Sequence, residues 1–205
     1  MEVYTTENEQ VSALKNFFVE NGKAIAAGLI IGIGGIAGWN YYQSHQVSKL
    51  QDAAIAYETA ITAKGTPAEQ TARLQAFAKE ANNNYGAIAG LDLAMKAVDS
   101  NDLPAAENAL SQALTKTDNE DLKDLINARL ARVQLSQKKP DAALATVAAV
   151  KGKGWAAYAQ DIRGDALLQK GDVKGAQEAY TTGIQSEGAG TIKSVMTFKL
   201  DNLAG

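Results

Sequence analysis

Between Lys23 and Lys49 the chain carries no Asp, Glu, Lys or Arg, and within that interval the run from Ala24 to Tyr42 is built almost wholly of Ala, Ile, Leu and Gly up to a terminal aromatic cluster. A helix over these 19 residues is about 28 Å long at 1.5 Å per residue, close to the hydrocarbon thickness of a bilayer. The sequence therefore predicts one membrane span at 24–42, a tail at 1–23 and a domain at 43–205.

The tail is acidic, with Glu2, Glu7, Glu9 and Glu20 against Lys15 and Lys23. A cleaved signal peptide opens on a short basic region and ends at an Ala-x-Ala-like site. Here Gly35-Ile36-Ala37 is the nearest candidate, and it lies inside the apolar run, so the segment reads as an uncleaved anchor. Lys15 and Lys23 outnumber Lys49 near the span, which points the tail to the cytoplasm and the domain to the outside of the membrane. Trp39, Tyr41 and Tyr42 then sit at the outer headgroup level. Val11, Leu14, Phe17 and Phe18 recur at helical spacing; a short helix lying on the membrane before the chain turns in, and a disordered tail, both remain open.

Glycines within the span form rows. Gly28 and Gly32 make a Gly-x-x-x-Gly pair, Gly35 continues the same face, and Gly34 with Gly38 repeats the spacing beside it. Such rows let helix backbones approach closely in lipid, so Gly28, Gly32 and Gly35 are the expected packing surface. The string Gly32-Ile33-Gly34-Gly35-Ile36-Ala37 also satisfies the dinucleotide-binding pattern, with Asp52 near the distance of its acidic partner. That motif requires a strand, a turn and a helix within a βαβ unit, and no such pattern surrounds it.

Beyond the span, Ala is abundant and Pro occurs only at Pro67, Pro104 and Pro140, which favours helix throughout. Removing the first 23 residues leaves 18 basic against 19 acidic side chains. A nearly neutral domain without a basic stripe is a poor binder of nucleic acid, whose affinity rests on phosphate neutralisation. With no Cys, thiolate chemistry and Cys-ligated metals are excluded.

The spacing predicts a helix over 44–64 that presents Ala53, Tyr57 and Ala60 to one packed face, then a turn at Gly65-Thr66-Pro67, a second helix over 67–81, and a polar turn at Asn82-Asn83-Asn84. A longer period follows. Ala94 precedes Ala106 and Leu110; Ala131 precedes Ala143 and Val147; Gly164 precedes Ala176 and Tyr180. In each case twelve residues separate the two small ones, the large one comes four later, and the unit recurs every 33 to 37 residues. Ala113, Val150 and Gly183 close the successive units. A period near 34 residues made of two antiparallel helices is the tetratricopeptide signature. The fold class is thus all-α: an N-terminal transmembrane helix followed by a tetratricopeptide-repeat-like α-solenoid of helical hairpins. At Gly171-Asp172 Gly supplies the left-handed helix end and Asp caps the next helix, whereas the turn at 137–141 lacks the expected Gly. A closing helix over 191–203 covers the last apolar face.

Catalytic groups are sparse. His45 is the only histidine and lies just beyond the aromatic cluster, without the partners that orient a general base. Asp118, Glu120, Asp121 and Asp124 cluster, but at a helix start, where Asp118 or Asn119 caps and negative charge meets the helix dipole; they read as a solvated helix start. No phosphate-loop, nucleophile-elbow or His-Glu-x-x-His string occurs. No catalytic residue, cofactor or metal is therefore assigned.

Stacked hairpins offer instead a concave face lined by their first helices. Aligned units place Leu91, Met95 and Val98 there from the first, Ala128, Arg132 and Leu135 from the second, and Asp161, Asp165 and Leu168 from the third. The peptide-carboxylate clamp of this superfamily uses Lys, Asn and Arg at such positions, and only Arg132 resembles it. Asp161 and Asp165 argue against carboxylate capture, while the apolar end at Met95 suits an apolar segment or a partner helix.

Over its whole length the chain resembles the YfgM family of ancillary SecYEG translocon subunits. The resemblance is carried by the opening Met1-Glu2-Val3-Tyr4, Gln10-Val11, Phe17-Phe18 and Glu20-Asn21-Gly22-Lys23-Ala24, and by Gly38-Trp39, Ser44-His45-Gln46-Val47 and Tyr85-Gly86-Ala87. Arg129-Leu130-Ala131-Arg132-Val133-Gln134 and Gly154-Trp155-Ala156-Ala157 complete it. It implies a single-span protein of a bacterial inner membrane with a periplasmic domain. The implied partners are the SecYEG translocon and the membrane-anchored chaperone PpiD, and the implied role is passing translocated proteins to periplasmic chaperones. Two other readings compete with this: a scaffold for an envelope assembly unrelated to secretion, and an envelope enzyme whose acidic residues converge on folding.

Overall fold

A computed structural model of the chain describes residues 7–190 and 192–204, and every regular element among them is helical. Met1-Glu2-Val3-Tyr4 and Thr191 lie outside the described residues. Two compact units divide the chain, Met1–Asp52 and Ala53–Gly205.

The first unit is formed by α1, which spans Glu7–Thr62 and so ends in the second. Neither open reading of the tail holds for its described part: the chain is helical from Glu7 and no turn precedes the apolar run. Nothing in the sequence breaks it, since Pro is absent and the Asn21 side chain donates back to the Phe17 carbonyl at 3.0 Å rather than capping a new helix. Leu29, Ile30, Ile33, Ile36 and Trp39 are all exposed. Among the described residues this is the one helix long and apolar enough to cross a membrane, and none of its apolar window is buried. Such a surface is stable only against lipid or other helices.

The second unit opens with the end of α1 and α2 (Pro67–Glu80). Thr66 caps α2 with Glu69 reaching back, a complete capping box. Ala60 is buried, and Tyr57 packs on Phe77 and Tyr85, as the spacing predicts. The Tyr57 hydroxyl donates to Asp92 at 2.5 Å. Burial, together with that hydrogen bond and the Asp92 charge, pushes the phenol up to about 12, so it stays a donor at ordinary pH.

Three hairpins follow: α3 (Asn84–Asp99) with α4 (Leu103–Leu114), α5 (Glu120–Ser136) with α6 (Pro140–Val147), and α7 (Ala156–Gln169) with α8 (Val173–Gln185). The last helix, α9, runs Ile192–Ala204 where a closing helix is expected. The predicted small residues pack the hairpins: Ala94, Ala131 and Gly164 on the first helices and Ala106, Ala143 and Ala176 on the second are all buried. At Gly164 even a methyl group would overlap the Tyr180 ring. Each of the first two cores joins a hairpin to the next first helix, as where Ala128 and Ala143 meet Ile162; the third joins α7 and α8 to Met196 of α9. The stack is therefore held by nearest neighbours alone.

The hairpin turns share one geometry. Asn101, Lys138 and Gly171 all adopt positive φ, at 57°, 60° and 82°. The next N–H donates back five residues each time: Asp102 to Ala97, Lys139 to Gln134 and Asp172 to Leu167, at 2.8 to 2.9 Å. The turn at 137–141, which lacks a Gly, thus makes the same bend with Lys138. One departure concerns α6, which ends at Val147, so Val150 lies beyond the helix whose position Ala113 and Gly183 hold in their own units.

A left-handed backbone costs a Cβ-bearing residue about 1–2 kcal/mol, offset in part by the greater freedom of Gly when unfolded. Lys138→Gly is expected to stabilise the chain by about 0.5–1 kcal/mol and Gly171→Ala to destabilise it similarly, read as opposite shifts of the urea midpoint of helical circular dichroism.

Candidate functional site

The first helices α3, α5 and α7, with α9 after them, lie side by side, so residues at one position of the 33-to-37-residue period become neighbours. Met95, Arg132, Asp165 and Lys199 occupy one such position, and Leu91, Ala128, Asp161 and Val195 the position a turn earlier. The result is a ladder of side chains along one face, apolar at α3 and alternating in charge from α5 to α9.

Its charged part is closed on itself. Arg132 donates to Asp161 at 2.7 Å and reaches Asp165 at 4.0 Å, while Lys199 donates to Asp161 at 2.7 Å and to Asp165 at 2.6 Å. The Tyr180 hydroxyl donates to Asp165 at 2.8 Å, and the Lys199 ammonium stands 5.5 Å from the Tyr180 ring centre. Burial, then the Asp165 hydrogen bond, raises the Tyr180 phenol far above its ordinary value and fixes it as donor. Asp161 is only 1% exposed, and its two cations satisfy a carboxylate whose burial alone would be prohibitive.

Between α3 and α5 lies an open recess of about 340 Å³. Leu91, Ala94, Leu110 and Val133 form its apolar floor. Met95, 54% exposed, and Val98 stand at its mouth, with Arg129 and Arg132 on the α5 side.

The structure thus brings Leu91, Met95, Val98 and Arg132 together, and joins Arg132 to Asp161 and Asp165 as a separate cluster. Leu135 is buried in the second core and belongs to the packing rather than the face. Leu168 is exposed, and neither the recess nor the charged cluster includes it. Gly28, Gly32 and Gly35 lie on α1, and a Cβ at any of them would meet open space. His45 is exposed with its ring stacked on Tyr41.

Two groups were not legible by residue type. Lys199 belongs to the ladder only if the repeat is counted on into α9, and Arg129 is exposed although the same position is a buried Ile162 and Met196 in later units. One expectation is corrected: Asn119 caps α5 beside Glu120 and Asp121, but Asp124 is not solvated. It is buried, and its carboxylate accepts the Lys151 and Gly152 N–H groups at 3.1 and 2.7 Å, pinning the chain after α6. The short α6 leaves that segment without helical partners, and the carboxylate supplies them. Glu107 does similar work on α4, accepting from Gln134, Gln137 and Lys139, and the Lys139 hydrogen bond chiefly holds it below its ordinary pKa. Among the described residues, no three His, Asp or Glu side chains gather as metal ligands would.

A family model described as a tetratricopeptide repeat-like domain matches residues 15–205. The chain is 47% identical over 206 aligned positions to an Escherichia coli (strain K12) protein named ancillary SecYEG translocon subunit, covering 100% of both chains. It is 35% identical to proteins of the same name from Aggregatibacter actinomycetemcomitans and Haemophilus influenzae, covering 98% of this chain and 99% of each relative. No solved structure matches it significantly.

Removing one partner of a charged, part-buried hydrogen bond costs about 1.5–3 kcal/mol. Lys199→Met is expected to destabilise the chain by that amount, and adding Asp161→Asn to recover part of the loss. Urea unfolding of the two single variants and the double variant checks this, and additive losses would contradict the coupling.

Proposed function

The chain belongs to the family of ancillary SecYEG translocon subunits built on a tetratricopeptide repeat-like domain, and on that premise we propose that it is a non-enzymatic, membrane-tethered interaction protein of the bacterial inner membrane. It associates with SecYEG and helps pass translocated proteins to periplasmic chaperones such as PpiD. The observation that carries this reading is the end-to-end identity with a relative of that name. Two features of the chain support it: an uncovered apolar helix, which seeks lipid or other membrane helices, and an apolar recess on the face formed by the first helices of the repeats.

In this reading residues 1–23 are cytoplasmic, 24–42 cross the membrane and 43–205 lie in the periplasm, the orientation favoured by Lys15 and Lys23. Gly28, Gly32 and Gly35 face another membrane helix. The concave residues Leu91, Met95, Val98 and Arg132 contact a protein partner or a translocated client, and Asp161, Asp165 and Lys199 keep that face in register. Leu135 and Leu168, read from the period as part of the groove, support it from beneath and at its edge.

Protease added to spheroplasts is expected to degrade the domain and spare the tail; a protected domain contradicts the orientation. A photo-cross-linker at Ile31 or Ile36 is expected to give adducts with translocon subunits in intact membranes, and their persistent absence would sink the proposed association. Replacing Gly28, Gly32 and Gly35 by Leu fills the notches while preserving hydrophobicity. Membrane insertion should remain and co-purification of membrane partners should fall several-fold; unchanged recovery would reduce the segment to a tether.

A further inference from the structure

The recess between α3 and α5 has a chemistry that selects among occupants. At about 340 Å³ it stands at the low end of ligand pockets, roughly 300–1,000 Å³, which suits one large side chain and not the whole face of a helix. Its floor is apolar, no carboxylate lines it, and two guanidinium groups do.

Those two cations are not equivalent. Arg132 is committed to Asp161 and Asp165, and with Lys199 it balances both carboxylates charge for charge. Arg129, one turn earlier on α5, is exposed and has no ion pair or side-chain hydrogen bond among the described residues. The recess is therefore an apolar hole with one uncompensated positive charge at its rim. A cation so placed attracts a carboxylate and repels another cation, more strongly as the apolar contact displaces water.

We propose that this recess takes one large apolar side chain of a partner polypeptide while Arg129 pairs with an Asp or Glu beside that side chain, so that the protein prefers acidic-apolar segments to basic-apolar ones. The inference rests on the concave face being a protein-binding surface and names the chemistry that the surface reads. It differs from carboxylate clamping of a chain terminus, because a single guanidinium beside an apolar hole recognises an internal side chain as readily as an end.

Fluorescence anisotropy of short labelled peptides titrated with the full-length protein in detergent tests this. One peptide carries a Phe flanked by Glu, a second the same Phe flanked by Lys, and a third an Ala flanked by Glu. The first is expected to bind at least about fivefold tighter than either other peptide, and Arg129→Glu to transfer the preference to the Lys-flanked peptide with helical circular dichroism unchanged. Equal affinities for the two Phe peptides, or a preference for Glu that survives Arg129→Glu, would overturn the proposal. So would sedimentation showing a dimer that Arg129→Glu dissociates while no peptide binds, since the recess would then belong to a second copy. Cross-linking from the membrane helix reads translocon association independently, so failure of the peptide test leaves that reading standing.

Discussion

Close approach of paired helices through their smallest residues is what the second unit depends on. Ala94, Ala131 and Gly164 leave room that Ala106, Ala143 and Ala176 occupy, and larger residues a turn later, Leu110, Val147 and Tyr180, lock the pair. The tolerance is narrow at Gly164, where a single added carbon would overlap Tyr180. Because interiors are close-packed, such contacts set the spacing of each hairpin rather than merely filling it. That spacing brings the first helices side by side, and their alignment puts Arg132 against Asp161 and Lys199 against Asp165. The chemistry of that face is thus a consequence of where the chain is small.

The two units meet different physical demands. α1 from Ala24 to Tyr42 exposes apolar groups on all sides, and its stability comes from what surrounds it. The repeat unit buries three successive cores of its own.

Buried carboxylates show where reasoning by residue type fails. Asp124 looks like one more acidic residue at a helix start, yet it is the acceptor that holds the chain after a helix only eight residues long. Asp161 and Asp165 look like free negative charge facing a ligand, yet both are neutralised by cations 29 to 38 residues away in sequence. In each case the partner is a backbone amide or a side chain from another helix. Periodicity describes one helix at a time and cannot register such a partner.

By itself the sequence determined the apolar segment, the helical class, the period of the hairpins, the caps at Asn119 and Asp172, and the small residues between paired helices. All of these are local or periodic, set by hydropathy, by the sterics of Cβ and by side chains within four residues of the amides they cap. Tertiary structure alone decided that Leu135 faces inward and that Lys199 completes the cluster around Asp161. It also decided that Lys138 takes the left-handed bend Gly takes elsewhere, and that Arg129 is left as the unpaired cation beside an apolar recess. Those outcomes depend on which surfaces meet across the stack, and contact between helices distant in sequence leaves no trace in the order of residues along any one of them.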